Sequence, residues 1–132
     1  MKYSKATSYA LHTMMYLIAY TEDKPIGVQL LAEKQGVSPT YLSKILTKLV
    51  KAGLIESATG AGGGYRLKRQ ADEISFLDVI HAIEGLTSLF ECVDHVDSQC
   101  QIHQVMLAAE KDMERYLQNK KLIELASHVR EA

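Results

Sequence analysis

The sequence is poor in the features that would send a chain to a membrane or to an oxidising compartment. It holds two cysteines, Cys92 and Cys100, too few for a disulfide framework and expected to be reduced at rest in a cytoplasm. The N-terminal stretch MKYSKATSYALHTMMYLIAY is apolar for part of its length. It is broken by Lys5, Ser8, His12 and Thr13 and carries no small-residue cleavage site, so it reads neither as a signal peptide nor as a membrane span. The expected compartment is the cytoplasm, with no membrane partner. No internal repeat or low-complexity tract occurs apart from one glycine run. Negative charge is also missing locally: not one Asp or Glu lies between Gln35 and Leu54.

That gap belongs to a larger asymmetry. The net charge is −1, yet residues 1–70 hold ten Lys/Arg against four Asp/Glu, while residues 71–132 hold five against twelve. A basic half joined to an acidic half points to a polyanion meeting the first half alone; the plain alternative is a chance partition of solvated charges. With 132 residues, 47% hydrophobic and 23% charged, the chain reads as one soluble domain, or a small domain with an appendage, long enough for a real core.

Apolar residues at Ala6, Ala10, Met14, Leu17 and Ile18 keep helical spacing from Ser4 to Tyr20, a wide stripe that fits a well-buried helix. TEDKPIG reads as a polar turn and 26–28 as a short extended piece. Gln29 to Gln35 reads as a short helix stopped by Gly36. Ser38-Pro39 then supplies an N-cap serine followed by proline at the first helical position. Leu42, Ile45, Leu46 and Leu49 give the helix it opens one apolar face, and Gly53 closes it. Two helices joined by a tight glycine-containing turn form a helix-turn-helix, here about residues 29–53.

Short extended segments at 54–59 and 65–68 flank the glycines of GAGGGYRL and read as a hairpin, or wing, over about 54–68. Ser75 with Asp78 three residues on starts a helix that runs to Glu84 and ends at Gly85. No period is kept over 86–99. Ile102, Met106, Ala109, Met113 and Tyr116 then step by four and three, as in the seam of a helix that packs on a partner helix. Leu122, Ala126 and Val129 mark a short last helix. The fold class expected is mainly α with a small β wing. Its two parts are a winged helix-turn-helix domain over 1–85, and a cysteine-containing loop with dimerisation helices over 86–132.

The polar face of helix 39–52 carries Thr40, Tyr41, Ser43, Lys44, Thr47, Lys48 and Lys51. The second helix of a helix-turn-helix enters the major groove, with its N-terminal residues toward base edges. Ser38, Thr40, Tyr41 and Ser43 suit hydrogen bonding to bases or phosphates, while Lys44 and Lys48 suit phosphates. The alternative is a merely solvated face, which seldom lacks acids altogether. A phosphate-binding loop needs Lys-Ser/Thr and a helix after its glycines, whereas here Tyr65-Arg66-Leu67 follows. The run is better placed as a wing tip in which Gly62 and Gly63 let backbone approach DNA and Arg66 adds charge. His12 reads as a packed or capping histidine, and Met14, Met15, Met106 and Met113 as core or seam filler.

With these blocks in place the chain resembles the Rrf-two group of bacterial winged-helix regulators, which includes the iron–sulfur regulator IscR, the nitric-oxide sensor NsrR and the cysteine-metabolism repressor CymR. The resemblance rests on YALHTMMYLIAY, VSPTYLSKILTKLVKAGLIES, GAGGGYRL and ISFLDVIHAIEG, in that order, and covers essentially the whole chain. It implies a homodimer that binds a pseudo-palindromic double-stranded operator, usually as a repressor, and is not an enzyme. Dimerisation would run through the helix at about 98–119. Many members place an arginine where this chain has Thr59, which leaves Arg66 as the candidate substitute. Cluster-binding members carry three cysteines in the loop. Here Cys92 matches the first, Cys100 with His103 matches the last, and the middle one is absent.

Three readings of these cysteines stay open. Cys92 and Cys100 can form a redox pair, being close enough in sequence for a disulfide. Alternatively Cys92, Cys100 and His103 ligate an iron–sulfur cluster or another metal, with His95, an Asp or a second subunit completing the set. In the third they are ordinary loop cysteines. The reading adopted is a redox-controlled DNA-binding repressor with no catalytic residues. The sequence requires no cofactor, with an iron–sulfur cluster as the candidate one, and a redox enzyme or metal carrier on a winged-helix scaffold is the rival from another class.

Overall fold

In a computed structural model of the chain, residues 3–20, 24–86, 88–90 and 100–126 are described here. The first apolar stripe becomes helix α1 (Lys5–Ala19), which buries Thr7, Ala10, Thr13, Met14, Leu17, Ile18 and Ala19. Ser4 precedes it but does not cap it. Instead Glu84, far along the chain, accepts from the Ser4 N–H at 2.7 Å, the Ser4 hydroxyl at 2.9 Å and the Thr7 hydroxyl at 2.5 Å. A carboxylate placed at a helix start satisfies free donors and meets the positive end of the helix dipole.

Helix α2 (Val28–Gln35) ends at Gly36, whose φ of +68° suits glycine. Helix α3 (Pro39–Lys51) begins as expected: the Ser38 hydroxyl accepts from the Tyr41 N–H at 3.1 Å, with Pro39 inside the first turn. Leu42, Ile45, Leu46 and Leu49 are all buried, each contributing about 1.5–3 kcal/mol by leaving water.

Strands β1 (Ile55–Ala58) and β2 (Gly64–Leu67) pair antiparallel with Ile55 opposite Leu67 and Ala58 opposite Gly64. The extended piece at Ile26 joins them. Its N–H donates to the Tyr65 carbonyl at 2.9 Å, and the Tyr65 N–H donates back at 2.8 Å. A Cβ on Gly64 would lie 2.5 Å from the Ile26 carbonyl, so this contact requires glycine. A Cβ on Gly63 would clash with the Ala58 carbonyl oxygen. Much of the glycine run therefore serves the hairpin's own close packing.

A short 3₁₀ turn (Ala71–Glu73) leads to helix α4 (Phe76–Glu84), whose start is a full capping box. The Asp78 N–H donates to the Ser75 hydroxyl and the Ser75 N–H to the Asp78 carboxylate, both at 3.0 Å. Helix α5 (Gln101–Gln118) begins with Cys100 as its N-cap residue. After it the chain turns back: the Phe76 N–H donates to the Lys120 carbonyl at 2.9 Å and the Leu122 N–H to the Ile74 carbonyl at 3.1 Å. Leu122 and Ala126 join the core formed by α1 to α4, while Val129 lies outside the described residues. Three helices, a two-stranded wing and a fourth helix around one core make a winged helix-turn-helix, with α5 alongside α4.

Candidate nucleic-acid interface

The face of α3 opposite its buried leucines is solvent-facing. Ser38, Thr40, Tyr41, Lys44, Thr47, Lys48 and Lys51 are exposed and Ser43 is half-buried. Lys44 and Lys51 form no ion pair among the described residues. The Thr47 hydroxyl donates to the Ser43 carbonyl at 2.9 Å, which engages it with its own helix. Tyr41 stands edge-on to Tyr9 of α1, with ring centroids 5.7 Å apart and planes at 85°. This contact orients the ring at the helix start. Lys48 lies in the field of Glu84. Burial pushes that carboxyl up, but the hydrogen bonds from Thr7 and Ser4, helped by the Lys48 charge, outweigh it and hold Glu84 below the usual glutamate range.

On the wing, Thr59 and Gly62 are exposed at the tip and Gly63 is half-buried. Gly62, at φ +81°, has open space where a side chain would stand. Arg66 is exposed, and its Nε donates to Glu56 Oε2 at 2.8 Å across the strands. Arg69 pairs with Asp78 at 3.3 Å. Of the cations following the glycines, Lys68 alone has no ion pair among the described residues. Exposed pairs such as Arg66–Glu56 are worth about 0–1 kcal/mol, so a phosphate can displace the carboxylate at little cost.

Cys92 and His95 lie outside the described residues. Cys100 is half-buried. His103, one turn along α5, faces the Phe90 ring at 5.9 Å. Its Nδ1 is buried and has no hydrogen-bond partner among the described residues, unusual for a buried nitrogen and consistent with a ligand nitrogen. The described residues contain no group of three or more His, Cys, Asp or Glu side chains able to hold a metal. Cys100 and His103 therefore fit a cluster or metal as a partial set that needs Cys92 and a further donor.

Helix α5 divides unevenly. His103, Met106, Leu107, Glu110, Met113, Glu114 and Leu117 are half-buried toward the body. On the adjoining face Ile102, Val105 and Tyr116 are 69%, 66% and 62% exposed, with Ala109 also exposed. The seam read from the sequence runs along the border between these faces, with Met106 and Met113 half-buried and Ile102, Ala109 and Tyr116 exposed. Sequence reasoning missed Glu84, Tyr9, Glu56 and Glu110. The Glu56–Arg66 pair follows from the hairpin register once the tip is placed; nothing local signals the others.

Comparison with known proteins agrees with this architecture. Residues 3–128 match the Rrf2 family, described as iron-dependent transcriptional regulators. The chain is 34% identical over 99 residues to the transcriptional regulator IscR of Vibrio atlanticus, covering 75% of this chain and 57% of that one. It thus spans less than two thirds of that relative's length. CymR, the global cysteine regulator of B. subtilis, superposes with a TM-score of 0.84 at 28% identity, over 97% of this chain and 98% of that one. The oxidised form of Staphylococcus aureus CymR gives a TM-score of 0.78 at 32% identity, over 96% of each chain. No helix among the described residues is long and apolar enough to cross a membrane. The family is one of regulators rather than enzymes, and with a matching sequence span and a winged helix, this chain belongs to the Rrf2 family of DNA-binding transcriptional regulators.

Proposed function

We propose that the protein is a cytoplasmic homodimeric repressor whose hold on a pseudo-palindromic operator is set by the thiol state of Cys92 and Cys100. The observation that carries the DNA-reading part is the acid-free exposed face of α3 behind a capped N-terminus. In this reading Ser38, Thr40, Tyr41 and Ser43 meet base edges or nearby phosphates, and Lys44 and Lys48 neutralise phosphates. Thr59, Gly62, Gly63 and Arg66 follow the backbone from the wing. Residues 1–85 act as the reading unit and 86–132 as the sensing and pairing unit, even though residues 122 and 126 of the tail belong to the common core. The exposed row Ile102, Val105, Ala109 and Tyr116 supports pairing through α5, since an apolar helix face of this kind is normally covered.

The switch is oxidation of two thiols to a disulfide by a peroxide-class oxidant, which is itself reduced to water or an alcohol. One thiolate attacks a peroxide-class oxidant to give a sulfenic acid, and the second thiol displaces water from it. Two thiols thereby give up two protons and two electrons to form one disulfide. Support comes from the likeness to CymR, a protein known in an oxidised form. A second reading, an iron–sulfur or metal site on Cys92, Cys100 and His103, is favoured by the unpartnered Nδ1 of His103 and by the iron-dependent description of the family. Such a group would supply redox or ligand-exchange sensitivity where α5 begins.

The test is binding to duplexes from the protein's own upstream region and to a random duplex, across a salt series. Sequence-selective binding that weakens on thiol oxidation supports the proposal, and its absence at moderate salt would sink it. Lys48→Ala should weaken binding to both duplexes and lower the salt slope by about one. Thiol counting separates the sensing readings. Loss of two thiols per chain without a visible chromophore favours the disulfide, and a chromophore in protein purified without oxygen favours the cluster.

A further inference from the structure

Both ends of the segment that carries Cys92 rest on one helix. At its far end Cys100 is the N-cap residue of α5. At its near end residues 88–90 lie against the same helix. Glu110 accepts from the Leu89 N–H at 2.9 Å through one oxygen and from the Ser88 hydroxyl at 2.5 Å through the other. The Ser88 hydroxyl in turn accepts from the Phe90 N–H at 3.2 Å, and the Phe90 ring faces His103. One turn beyond Glu110, Glu114 meets His81 Nε2 of α4 at 3.4 Å. Positions 103, 110 and 114 share the body-facing side of α5.

We propose that Glu110 is a positioning residue that latches the chain entering the cysteine segment onto α5, so that a change at the cysteines moves α5 and, through Glu114 and His81, the α4 edge of the reading unit. This rests on the thiol-switch reading given above. A carboxylate that takes two donors from consecutive residues holds a chain end in position as well as in place. Without it residues 88–90 lose their two hydrogen bonds to α5 and keep packing contacts such as that of Phe90 with His103, and strain from a Cys92–Cys100 bond relaxes locally instead of reaching α4. The latch transmits and takes no part in the thiol chemistry. Because coupling is a difference between two states, Glu110 should alter the ratio of affinities more than either affinity alone.

The experiment measures affinity of the full chain for its own upstream duplex after dithiothreitol and after hydrogen peroxide, in wild type, Glu110→Gln and Glu110→Ala. Asp112→Asn, at an exposed position of the same helix, serves as control. The wild-type ratio is expected to be about tenfold, within the usual range of allosteric coupling. Glu110→Ala should bring it to within about twofold while the reduced form still binds and melts as wild type does. Glu110→Gln, which keeps an acceptor for the Leu89 N–H, should fall between them and decides the matter if the alanine variant folds poorly. Asp112→Asn should match wild type. A coupled wild type with an unchanged ratio in both Glu110 variants overturns the latch alone. A wild type indifferent to oxidation overturns the thiol switch and the latch with it.

Discussion

Helices α3 and α5 carry opposite solutions to the same problem. In α3 four aliphatic side chains are buried within the protomer and the polar face is left to solvent. In α5, longer by five residues (18 against 13), no residue is fully buried: Met106, Leu107, Met113 and Leu117 are half-buried, while Ile102, Val105 and Tyr116 are exposed. The first helix is stabilised by its own chain, so its exposed face is set before any partner arrives. The second is only half-covered by its own chain, so its geometry can depend on assembly and on what happens at its N-terminal end. If α3 reads DNA and α5 carries a signal, as proposed, rigidity sits in one helix and dependence in the other.

The largest expected effect lies on the α3 side. Leu46→Ala, at a fully buried position, should cost about 2–5 kcal/mol in urea unfolding, and a loss below 1 kcal/mol would remove the contrast. On α5, Ile102→Glu with Val105→Glu should leave the protomer folded by circular dichroism but shift sedimentation from dimer to monomer; an unchanged sedimenting mass would mean that this face pairs with nothing. Glu84→Gln should cost about 1–3 kcal/mol, because three donors at the start of α1 lose a charged acceptor. Since the Glu84 carboxyl titrates lower in the folded than in the unfolded protein, its contribution is present above the unfolded value and is lost as pH falls through the folded one. Wild type should therefore lose stability more steeply in acid than Glu84→Gln, and parallel acid limbs would count against the cap. The smallest effect belongs to the wing. Glu56→Gln should change stability by no more than about 0.5 kcal/mol, yet free Arg66 and raise affinity for random DNA at low salt; an identical salt series would show that Arg66 does not reach the duplex.

The reading helix was legible because its signals are local. Ser38 and Pro39 start it, Gly53 follows its end, and four aliphatic residues recur at helical spacing between them. The wing and the capping box at Ser75 were legible for the same reason. What escaped depends on distance along the chain. Glu84 caps a helix that begins eighty residues earlier, and Leu122 returns to pair beside Ile74. Neither pairing leaves a periodic trace. For α5 the period located the apolar residues but not what covers them, so it did not tell half-buried Met106 and Met113 from exposed Ile102 and Tyr116. The cysteine segment was readable only as a set of candidate ligands, since donor identity says nothing about which donors meet.

The two hydrogen bonds between Ile26 and Tyr65 have a consequence for how an operator would be measured. They stitch the wing to the residues that lead into α2, so wing and helix-turn-helix form one jaw of fixed set. If two such jaws are carried on paired α5 helices, neither can open by bending its own wing. The assembly then behaves as a caliper with rigid tips and an adjustable pivot, and a change in half-site spacing must be absorbed at the pivot alone.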